Sequence, residues 1–189
     1  DQTGQVVPIR TGRSEVHIVA DVAWAAACYL DWTGDEEFAK GAGARILVET
    51  ARYWASRVHV EGDGSAHLYG VIGPDEYHEP VDNNAFTNLM ARWNLRRAAT
   101  LPGSMVDDTE RDHWRSLSAA LVDGYNPETR VYEQFAGFDG LEPLIIEEVA
   151  PRRPIAADLL LGRDRVQAAQ VIKQADVLMA HHLIPEEME

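Results

Sequence analysis

The sequence predicts a mostly helical, all-α fold of antiparallel helix pairs with short β-hairpin insertions. Apolar residues recur at three- and four-residue intervals in several long segments, which is typical of helices with one buried face. Two of these segments are joined by a very short link, which favours antiparallel packing. Turn-forming residues flank the short stretches that have strand-like composition. The 189 residues, 46% of them apolar, suffice for one domain with a buried core.

The first two helices are predicted near the start of the chain. The first runs from Val16 to about Trp32 and ends at Gly34. Its apolar positions are Val19, Val22, Ala23, Ala26, Tyr29 and Leu30. Asp35 is predicted to cap a second helix that ends at about Arg57. Its proposed apolar face is Phe38, Ala42, Ile46, Thr50, Trp54 and Val58.

A β-hairpin and a third helix follow. The turn-forming residues 62–64 lie between β-type residues in the stretch 58–72, which predicts a hairpin. The hairpin leads into the acidic segment VIGPDEYHEPVDNNAFTN, residues 71–88. Asn83 or Asn84 is predicted to cap a helix that ends at about Ala99, before Pro102 and Gly103. Its inner positions are Phe86, Leu89, Met90, Trp93 and Arg97.

The second half of the chain is less regular. Asp107 or Asp108 is predicted to begin a fourth helix that ends near Gly124. The apolar residues of that helix are Trp114, Leu117, Ala120 and Leu121. VYEQF is predicted to be a short extended stretch, and residues 136–162 show the weakest pattern. A last helix is predicted from about Gln174 to Leu183, ended by Pro185.

Composition excludes several classes of function. Seventeen Lys and Arg against 31 Asp and Glu leave a formal charge of −14, which disfavours binding to nucleic acid or anionic lipid. No apolar stretch approaches the roughly 18 to 20 residues of a membrane span, and the polar first residues do not resemble a signal peptide. Cys28 is the only cysteine, is predicted to be a small core residue, and cannot form an intrachain disulfide. We therefore expect a cytoplasmic protein.

The acidic segment is the strongest candidate for chemistry. It carries Asp75, Glu76, His78, Glu79 and Asp82. A carboxylic acid donates a proton near neutral pH only if its pKa is raised, which neighbouring carboxylates or partial burial can do. Asp82 and Asn83 are the better capping residues, so Glu76 is left without a structural role. The alternative is that the loop binds a cation or only caps the third helix.

Two smaller polar groups also lie at predicted helix starts. They are Glu15 with His17, and Lys173 with Gln174. In a ring of antiparallel helix pairs, alternate helices begin at the same end, so these groups and the acidic segment are expected to converge. Ammonium and amide groups suit the recognition of sugar hydroxyls. The alternative for each pair is a solvated helix face, and the i and i+2 spacing of Glu15 and His17 suits an extended lead-in better than one helix face.

Other site types have weak or absent signals. The seven histidines are scattered, and the adjacent His181 and His182 diverge on a helix, so no metal site is predicted. The sequence contains no HExxH motif and no GxSxG elbow, and it lacks a glycine-rich loop with the spacing that nucleotide phosphates require. The polar groups around the acidic segment therefore stay the main candidates.

Three stretches together resemble a known family. GVIGPDEYHEPVDNNAFTNLMARWNL, EVHIVADVAWA and QVIKQADVLM, with YEQFAGF and RRPIAADLLLG between them, resemble the catalytic domain of glycoside hydrolase family 65. These motifs occur in the family's order and cover nearly the whole chain. The family contains inverting phosphorylases of α-linked glucosides, such as maltose, trehalose, kojibiose and nigerose, together with some hydrolases.

The resemblance implies a fold, a reaction and a set of site residues. It implies a partial (α/α)6 barrel, with Glu76 as the general acid of the GPDEYH pattern. Inorganic phosphate would be a co-substrate that attacks the anomeric carbon and gives β-glucose 1-phosphate, without any cofactor. Lys173 and Gln174 match the glucose-binding subsite, and Glu15 and His17 match a stretch near it. Asp75, as a substrate contact, and Glu133 are further candidates in supporting roles.

The resemblance also leaves alternatives open. Residues 1–189 correspond to the central segment of the family's catalytic domain, without its N-terminal β-sandwich and its C-terminal phosphate loop. Helix faces that these parts cover are therefore expected to be exposed, and a homodimer is possible. The alternatives to a phosphorylase are a hydrolase on the same scaffold, which needs a second carboxylate to activate water, and a silent sugar-binding or structural fragment.

Overall fold

The mostly helical prediction is confirmed. A computed structural model of the protein describes residues 9–102, 105–149 and 156–188. Within these residues the helices are α1 Thr11–Ser14, α2 Ile18–Thr33, α3 Glu36–Lys40, α4 Ala42–Arg57, α5 Ala85–Ala99, α6 Asp108–Ala120, α7 Ile146–Val149, α8 Ala157–Leu161, α9 Arg163–Gln167 and α10 Asp176–Leu183. The strands are β1 His59–Val60, β2 Ala66–His67, β3 Tyr125–Asn126 and β4 Val131–Tyr132.

Helix α5 is the centre of the molecule. It packs against α2, α4, α6 and α10, and nearly every turn of it is buried. Asn84 is its N-cap and accepts a hydrogen bond from the Thr87 N–H at 2.9 Å, which selects Asn84 over Asn83. Of the predicted inner residues, Phe86, Leu89, Met90 and Trp93 are buried, whereas Arg97 is only partly buried and pairs with Asp31 at the surface. Because α5 begins directly after Asn84, it supplies a rigid base for the acidic residues that precede it.

Helix α6 also agrees with its prediction. Asp107 caps it by accepting a hydrogen bond from the Glu110 N–H at 2.8 Å. Trp114, Leu117 and Leu121 are buried against the core that α5 organises. The cap and the apolar period are both local signals, and here they agree with the tertiary packing.

The second predicted helix is instead two helices. Asp35 caps α3 as expected, accepting from the Phe38 N–H at 2.9 Å. Gly41 then has φ −111° and ψ −110°, a conformation outside the helical region, and separates α3 from α4. A Cβ at Gly43 would lie 2.8 Å from the Phe38 ring, so the two helices approach closely at a glycine. Continuous apolar periodicity concealed this break.

The predicted apolar face of that segment is also wrong. Of the residues assigned to it, only Trp54 is buried, whereas the face in contact with the core is Ala44, Leu47, Val48, Ala51 and Trp54. Steps of four residues advance the helix by about 40° more than a full turn, so a stripe spaced only by fours leaves the core. A mixture of threes and fours, as in 44, 47, 48 and 51, stays on one face.

The predicted extended stretches are confirmed as two short antiparallel hairpins. Strand β1 pairs with β2, with His59 opposite His67, and β3 pairs with β4, with Tyr125 opposite Tyr132. Each strand has only two residues. The first hairpin leads into the acidic segment, and the second lies just before Gln134, which contacts that segment.

The C-terminal part corrects two further expectations. Helix α10 begins at Asp176, so Gln174 precedes it and does not lie on its face. Residues 136–149 and 156–162 contain only short helices, in line with their weak pattern. Cys28 is only partly buried and lies outside the core cluster, contrary to its prediction. The Gly103 helix break and residues 150–155 lie outside the described residues.

Helices α2 and α10 expose large apolar side chains. Trp32 is 83% exposed and Leu178 is 71% exposed, and Ile18, Val22 and Met179 are also accessible. Such surfaces are typical of faces that pack against another element. Among the described helices, none combines the length and apolar character that crossing a bilayer requires.

Candidate active site

The acidic loop, residues 71–84, is tied down at both ends. Val71 and Val81 exchange two backbone hydrogen bonds of 2.8 Å, which closes the loop at its base. The Ile72 N–H donates to the Ser14 carbonyl at 2.8 Å, and the Gly70 N–H donates to Asp82 Oδ1 at 2.8 Å. The loop is therefore fixed between α1, the first hairpin and α5.

Asp75 turns into the protein. It is 3% exposed, and its Oδ1 accepts from the backbone N–H groups of Lys173 at 2.8 Å and Gln174 at 3.4 Å. Its Oδ2 lies 2.9 Å from His78 Nδ1 and 3.2 Å from Gln134 Nε2. Both carboxylate oxygens thus bind groups of the protein itself. In this structure Asp75 joins the acidic loop to the Lys173–Gln174 pair.

His78 makes a second buried link between the loop and the C-terminal part. Its Nε2 lies 2.9 Å from the Ala169 carbonyl, and because a carbonyl only accepts, Nε2 carries the proton. The ring packs against Phe135 and Phe138, with centroid distances of 5.0 and 5.8 Å. His78 is therefore held in place and is not free to contact a ligand.

Asp176, the first residue of α10, lies beneath the loop with no solvent exposure. Its Oδ1 accepts from the Asp75 N–H at 2.8 Å, and its Oδ2 accepts from Asn84 Nδ2 at 2.7 Å. Burial raises the pKa of Asp176 to about 6, although the Asn84 hydrogen bond lowers it. A Cβ at Gly73 would lie 2.4 Å from both Asn84 Nδ2 and Asp176 Oδ2, so the backbone needs glycine there.

Glu76 points outward, into an open cleft. The cleft has a volume of about 320 Å³ and is lined by Glu76, Tyr77, Glu79, Asp158, Arg163, Val166 and Lys173. Glu76 forms an ion pair with Lys173 Nζ, and both side chains are about half exposed. The hydrogen bond to Glu76 raises the pKa of the Lys173 ammonium. The predicted acid and the predicted sugar-binding lysine therefore face each other across the cleft.

The expected group of carboxylates around Glu76 does not form. Asp75 is turned inward, Glu79 pairs with Arg163, and Asp82 accepts from the Gly70 N–H. Each acid of the loop has its own partner, and the charge nearest to Glu76 is the cation of Lys173. Composition alone missed this because the partners of Glu76 and Glu79 come from a part of the chain more than eighty residues away.

The third predicted group is also brought to this region. His17 is buried at the start of α2, packs edge-on against Phe86 of α5, and lies 2.8 Å from Asp21 through Nδ1. Its Nε2 lies 3.6 Å from Glu15 Oε1, beyond hydrogen-bond distance. His17 lowers the pKa of Asp176, so this group lies beside the buried network. The three polar groups thus converge as the helix order suggested.

Two of the predicted site residues carry buried polar atoms without partners. Among the described residues, neither His17 Nε2 nor Gln174 Oε1 has a hydrogen-bond partner. Buried polar atoms are normally satisfied, so such atoms indicate a place where a ligand or water can bind. Glu133, in contrast, is structural, because its Oε1 accepts from the N–H groups of Gly137 and Asp139 at 3.0 Å.

Sequence reasoning missed Asp176, Asn84 and Gln134 as members of the site. Asn84 was assigned only a capping role, although its amide also donates to Asp176. Asp176 has the position of an ordinary acidic residue in the first turn of a helix, which gives no sign of burial. No periodic signal marks Gln134. Only their long-range contacts in the structure identify these residues as members of the site.

Metal ligation finds no support in the described part of the chain. No group of three or more His, Cys, Asp or Glu side chains is arranged there to hold an ion. The side chains that line the cleft supply three carboxylates, an ammonium, a guanidinium and a phenol, and the Gln174 amide follows Lys173 directly in the chain. This set suits hydrogen bonding to hydroxyl groups and the transfer of a proton to an oxygen.

The helical fold and the cleft between Glu76 and Lys173 are compatible with a carbohydrate-active enzyme domain. The model of the glycosyl hydrolase family 65 central catalytic domain matches residues 1–189, and the chain belongs to this family. The resemblance of the acidic segment is thereby confirmed.

Several relatives carry the names of phosphorylases. The chain is 35% identical over 210 residues to kojibiose phosphorylase of Caldanaerobacter subterraneus subsp. tengcongensis, covering 100% of this chain and 27% of that protein. It is 32% identical to kojibiose phosphorylase of Escherichia coli K12, covering 98% of this chain and 25% of that one. It is 34% identical to 1,2-α-glucosylglycerol phosphorylase of Bacillus selenitireducens, covering 90% of this chain and 25% of that protein. The chain thus spans about a quarter of the length of these relatives.

A solved structure supports the fold. A protein from the human microbiome, assigned as a kojibiose phosphorylase, matches 90% of this chain with a TM-score of 0.79 and 26% sequence identity. This chain covers 27% of that structure. The helix pairs described above are therefore part of an (α/α)6 barrel.

Proposed function

We propose that the complete polypeptide containing these residues is an inverting phosphorylase of α-linked glucosides. It cleaves a disaccharide with inorganic phosphate and releases β-glucose 1-phosphate. The observation that carries this proposal is the placement of Glu76 opposite Lys173 on an open cleft. The phosphorylase names of the relatives support the reaction class.

Glu76 is the general acid in this proposal. Of the two loop glutamates that line the cleft, Glu76 faces Lys173 and Glu79 is paired with Arg163, whereas Asp75 is buried by its own hydrogen bonds. It would donate a proton to the glycosidic oxygen while phosphate attacks the anomeric carbon from the opposite face. Phosphate is already an anionic nucleophile, so the reaction requires no second catalytic carboxylate and no cofactor.

Substrate binding has to separate Glu76 from Lys173. A carboxyl oxygen that bonds to an ammonium is not free to bond to the leaving oxygen of a sugar. We propose that glucose hydroxyls accept hydrogen bonds from Lys173 and donate to the unpartnered Gln174 Oε1. Lys173 then leaves Glu76, and Glu76 is free to contact the leaving oxygen. His17 and Glu15 would bound the same glucose subsite, and Asp75 would act through the Lys173 and Gln174 backbone.

Hydrolysis is the second candidate, and one observation favours it. Two further carboxylates, Glu79 and Asp158, line the same cleft as Glu76. An inverting hydrolase needs a second carboxylate to activate water. Glu79 is paired with Arg163 and Asp158 accepts from Tyr77, however, so neither is free in this structure. A cytoplasmic location and a homodimer stay predictions.

The phosphate requirement tests the proposal. We expect the complete polypeptide to release glucose 1-phosphate from kojibiose only when inorganic phosphate is present. Maltose, trehalose, nigerose and 1,2-α-glucosylglycerol are compared in the same assay, with glucose and glucose 1-phosphate measured separately. Free glucose without phosphate would show a hydrolase. A folded protein that is silent on every sugar would contradict both readings.

Lys173→Ala is expected to weaken sugar binding more than it slows the chemical step. Loss of a charged hydrogen bond to a glucose hydroxyl corresponds to a rise in KM of roughly 10- to 100-fold. Steady-state kinetics with saturating phosphate measure this effect. Lys40→Ala is the matched control, because Lys40 also pairs with a glutamate, Glu36, but on the exposed helix α3. An unchanged KM in Lys173→Ala would remove Lys173 from the subsite.

A further inference from the structure

We propose that Asp176 is a positioning residue that sets the place of Glu76 in the cleft by holding the backbone at Asp75. Asp176 has no exposure, so it cannot touch a sugar, and its effect must pass through the loop. This inference rests on the proposed function, because it assigns Asp176 a role in the reaction of Glu76.

Asp75 and Asp176 clamp their two chain segments together through reciprocal hydrogen bonds. The Asp75 N–H donates to Asp176 Oδ1 at 2.8 Å, while the Lys173 N–H donates to Asp75 Oδ1 at 2.8 Å. Each aspartate thus accepts from the backbone of the segment that carries the other. Glu76 follows Asp75 directly and Lys173 lies three residues before Asp176, and both line the cleft, so the clamp sets how Glu76 stands relative to Lys173.

Asn84 connects this clamp to the rigid centre of the fold. Its Nδ2 donates to Asp176 Oδ2 at 2.7 Å, while its Oδ1 accepts from the Thr87 N–H and hydroxyl at 2.9 Å. Asn84 Oδ1 is therefore committed to the helix cap, and the amide can only offer its nitrogen to Asp176. The acidic loop, α10 and α5 meet at these two oxygens of Asp176.

The acidic loop packs tightly against Asp176 and Asn84 at Gly73. A Cβ at Gly73 would lie 2.4 Å from Asp176 Oδ2 and from Asn84 Nδ2. The backbone of the loop therefore lies directly against the carboxylate. An apolar side chain at position 176 would leave the buried Asp75 N–H without this acceptor and would leave Asn84 Nδ2 with only the Gln134 carbonyl at 3.3 Å, and proteins rarely tolerate such losses.

Asp176→Asn is the sharpest test, because it keeps shape and removes one acceptor. The new amide can still accept from the Asp75 N–H, but its nitrogen then faces Asn84 Nδ2, and two donors repel. We expect kcat with kojibiose and phosphate to fall about 10- to 100-fold with a smaller change in KM, since a displacement of about 1 Å at the reacting groups costs that much.

The exchanged double variant Asn84→Asp with Asp176→Asn restores a donor facing an acceptor. Asp at 84 can still cap α5 at Thr87, and the amide at 176 donates to it and accepts from the Asp75 N–H. The Gln134 carbonyl loses Asn84 Nδ2 at 3.3 Å but keeps the Ala85 N–H at 2.9 Å. We expect this double variant to recover kcat to within a few-fold of the parent. Asp108→Asn is the matched control, because Asp108 is also the first residue of a helix but is fully exposed on α6.

Hydrogen exchange gives a readout that does not depend on turnover. We expect amides in residues 73–78 to exchange faster in Asp176→Asn than in the parent, and to regain protection in the double variant. Unchanged exchange would overturn the inference whatever the activity. A double variant that regains protection and thermal stability but not kcat would also overturn it, because Asp176 would then be only structural.

The two proposals fail in different ways. If Glu76→Gln keeps its rate while Asp176→Asn still loosens the loop, Glu76 is not the acid and the proposed function fails. If Glu76→Gln is inactive while Asp176→Asn has normal kcat and normal exchange, the proposed function stands and the positioning role is wrong.

Discussion

Glu76→Gln is expected to lower kcat on unactivated disaccharides by about 100- to 10,000-fold, the range that general acid catalysis supplies. Glutamine has nearly the same shape and can still accept from Lys173, but it cannot donate a proton to a leaving oxygen. Release of glucose 1-phosphate from kojibiose by the complete polypeptide measures the effect. Glu36→Gln is the matched control, because Glu36 forms a comparable pair with Lys40 away from the cleft.

A substrate with a good leaving group separates acid catalysis from general damage. Fluoride leaves from α-glucosyl fluoride without full protonation, so Glu76→Gln should lose far less activity on that substrate than on kojibiose. Equal losses on both substrates would show that Glu76 matters for binding or folding and not as the proton donor. A near-normal rate on kojibiose would remove Glu76 from the mechanism altogether.

The stability of the protein is expected to depend on pH through Asp176, by up to about 3 kcal/mol. Its pKa is raised from 3.8 to about 6 by burial, with Asp75 raising it further and Asn84 and His17 lowering it. Because the folded state binds this proton more tightly than the unfolded state, the contribution to stability is full below about pH 4. It is lost as the pH rises through 6.

Comparison of the parent with Asp176→Asn isolates this contribution from that of other acids. As the pH rises from 4 to 7, the unfolding free energy of the parent should decrease relative to that of Asp176→Asn. Urea unfolding followed by tryptophan fluorescence at several pH values measures it, with Asp108→Asn as the control that should show no such trend. A difference that is constant across this range would contradict the buried, proton-binding Asp176.

Helices with clear caps and mixed three-and-four spacing could be predicted closely from the sequence. Helices α5 and α6 have Asn84 and Asp107 at their N-caps, and their apolar positions face the core. The region of α3 and α4 could not be predicted, because Gly41 breaks the helix while the apolar pattern continues. A break of this kind depends on where Phe38 packs, which is a tertiary contact.

The candidate site divides in the same way. The acidic loop stood out by composition, and the resemblance to glycoside hydrolase family 65 pointed to Glu76, Lys173 and Gln174. The role of each acid in the loop did not follow from either signal. Asp75 turns inward because it accepts from the Lys173 backbone N–H, and Glu76 turns outward because it pairs with the Lys173 ammonium. Lys173 lies 98 and 97 residues further along the chain than these two acids. Alternation along the loop itself does not specify such partners.

The sequence by itself determined the helical class, the position of most elements, the family and the segment that bears the proposed acid. These properties depend on local spacing, capping and motif order, which neighbouring residues specify. Only the tertiary structure decided that Asp176 lies beneath Asp75, that Asn84 both caps α5 and binds Asp176, and that Glu76 faces Lys173. The physical reason is that a buried carboxylate is defined by donors that folding brings to it from distant segments, and one-dimensional spacing does not encode those distances.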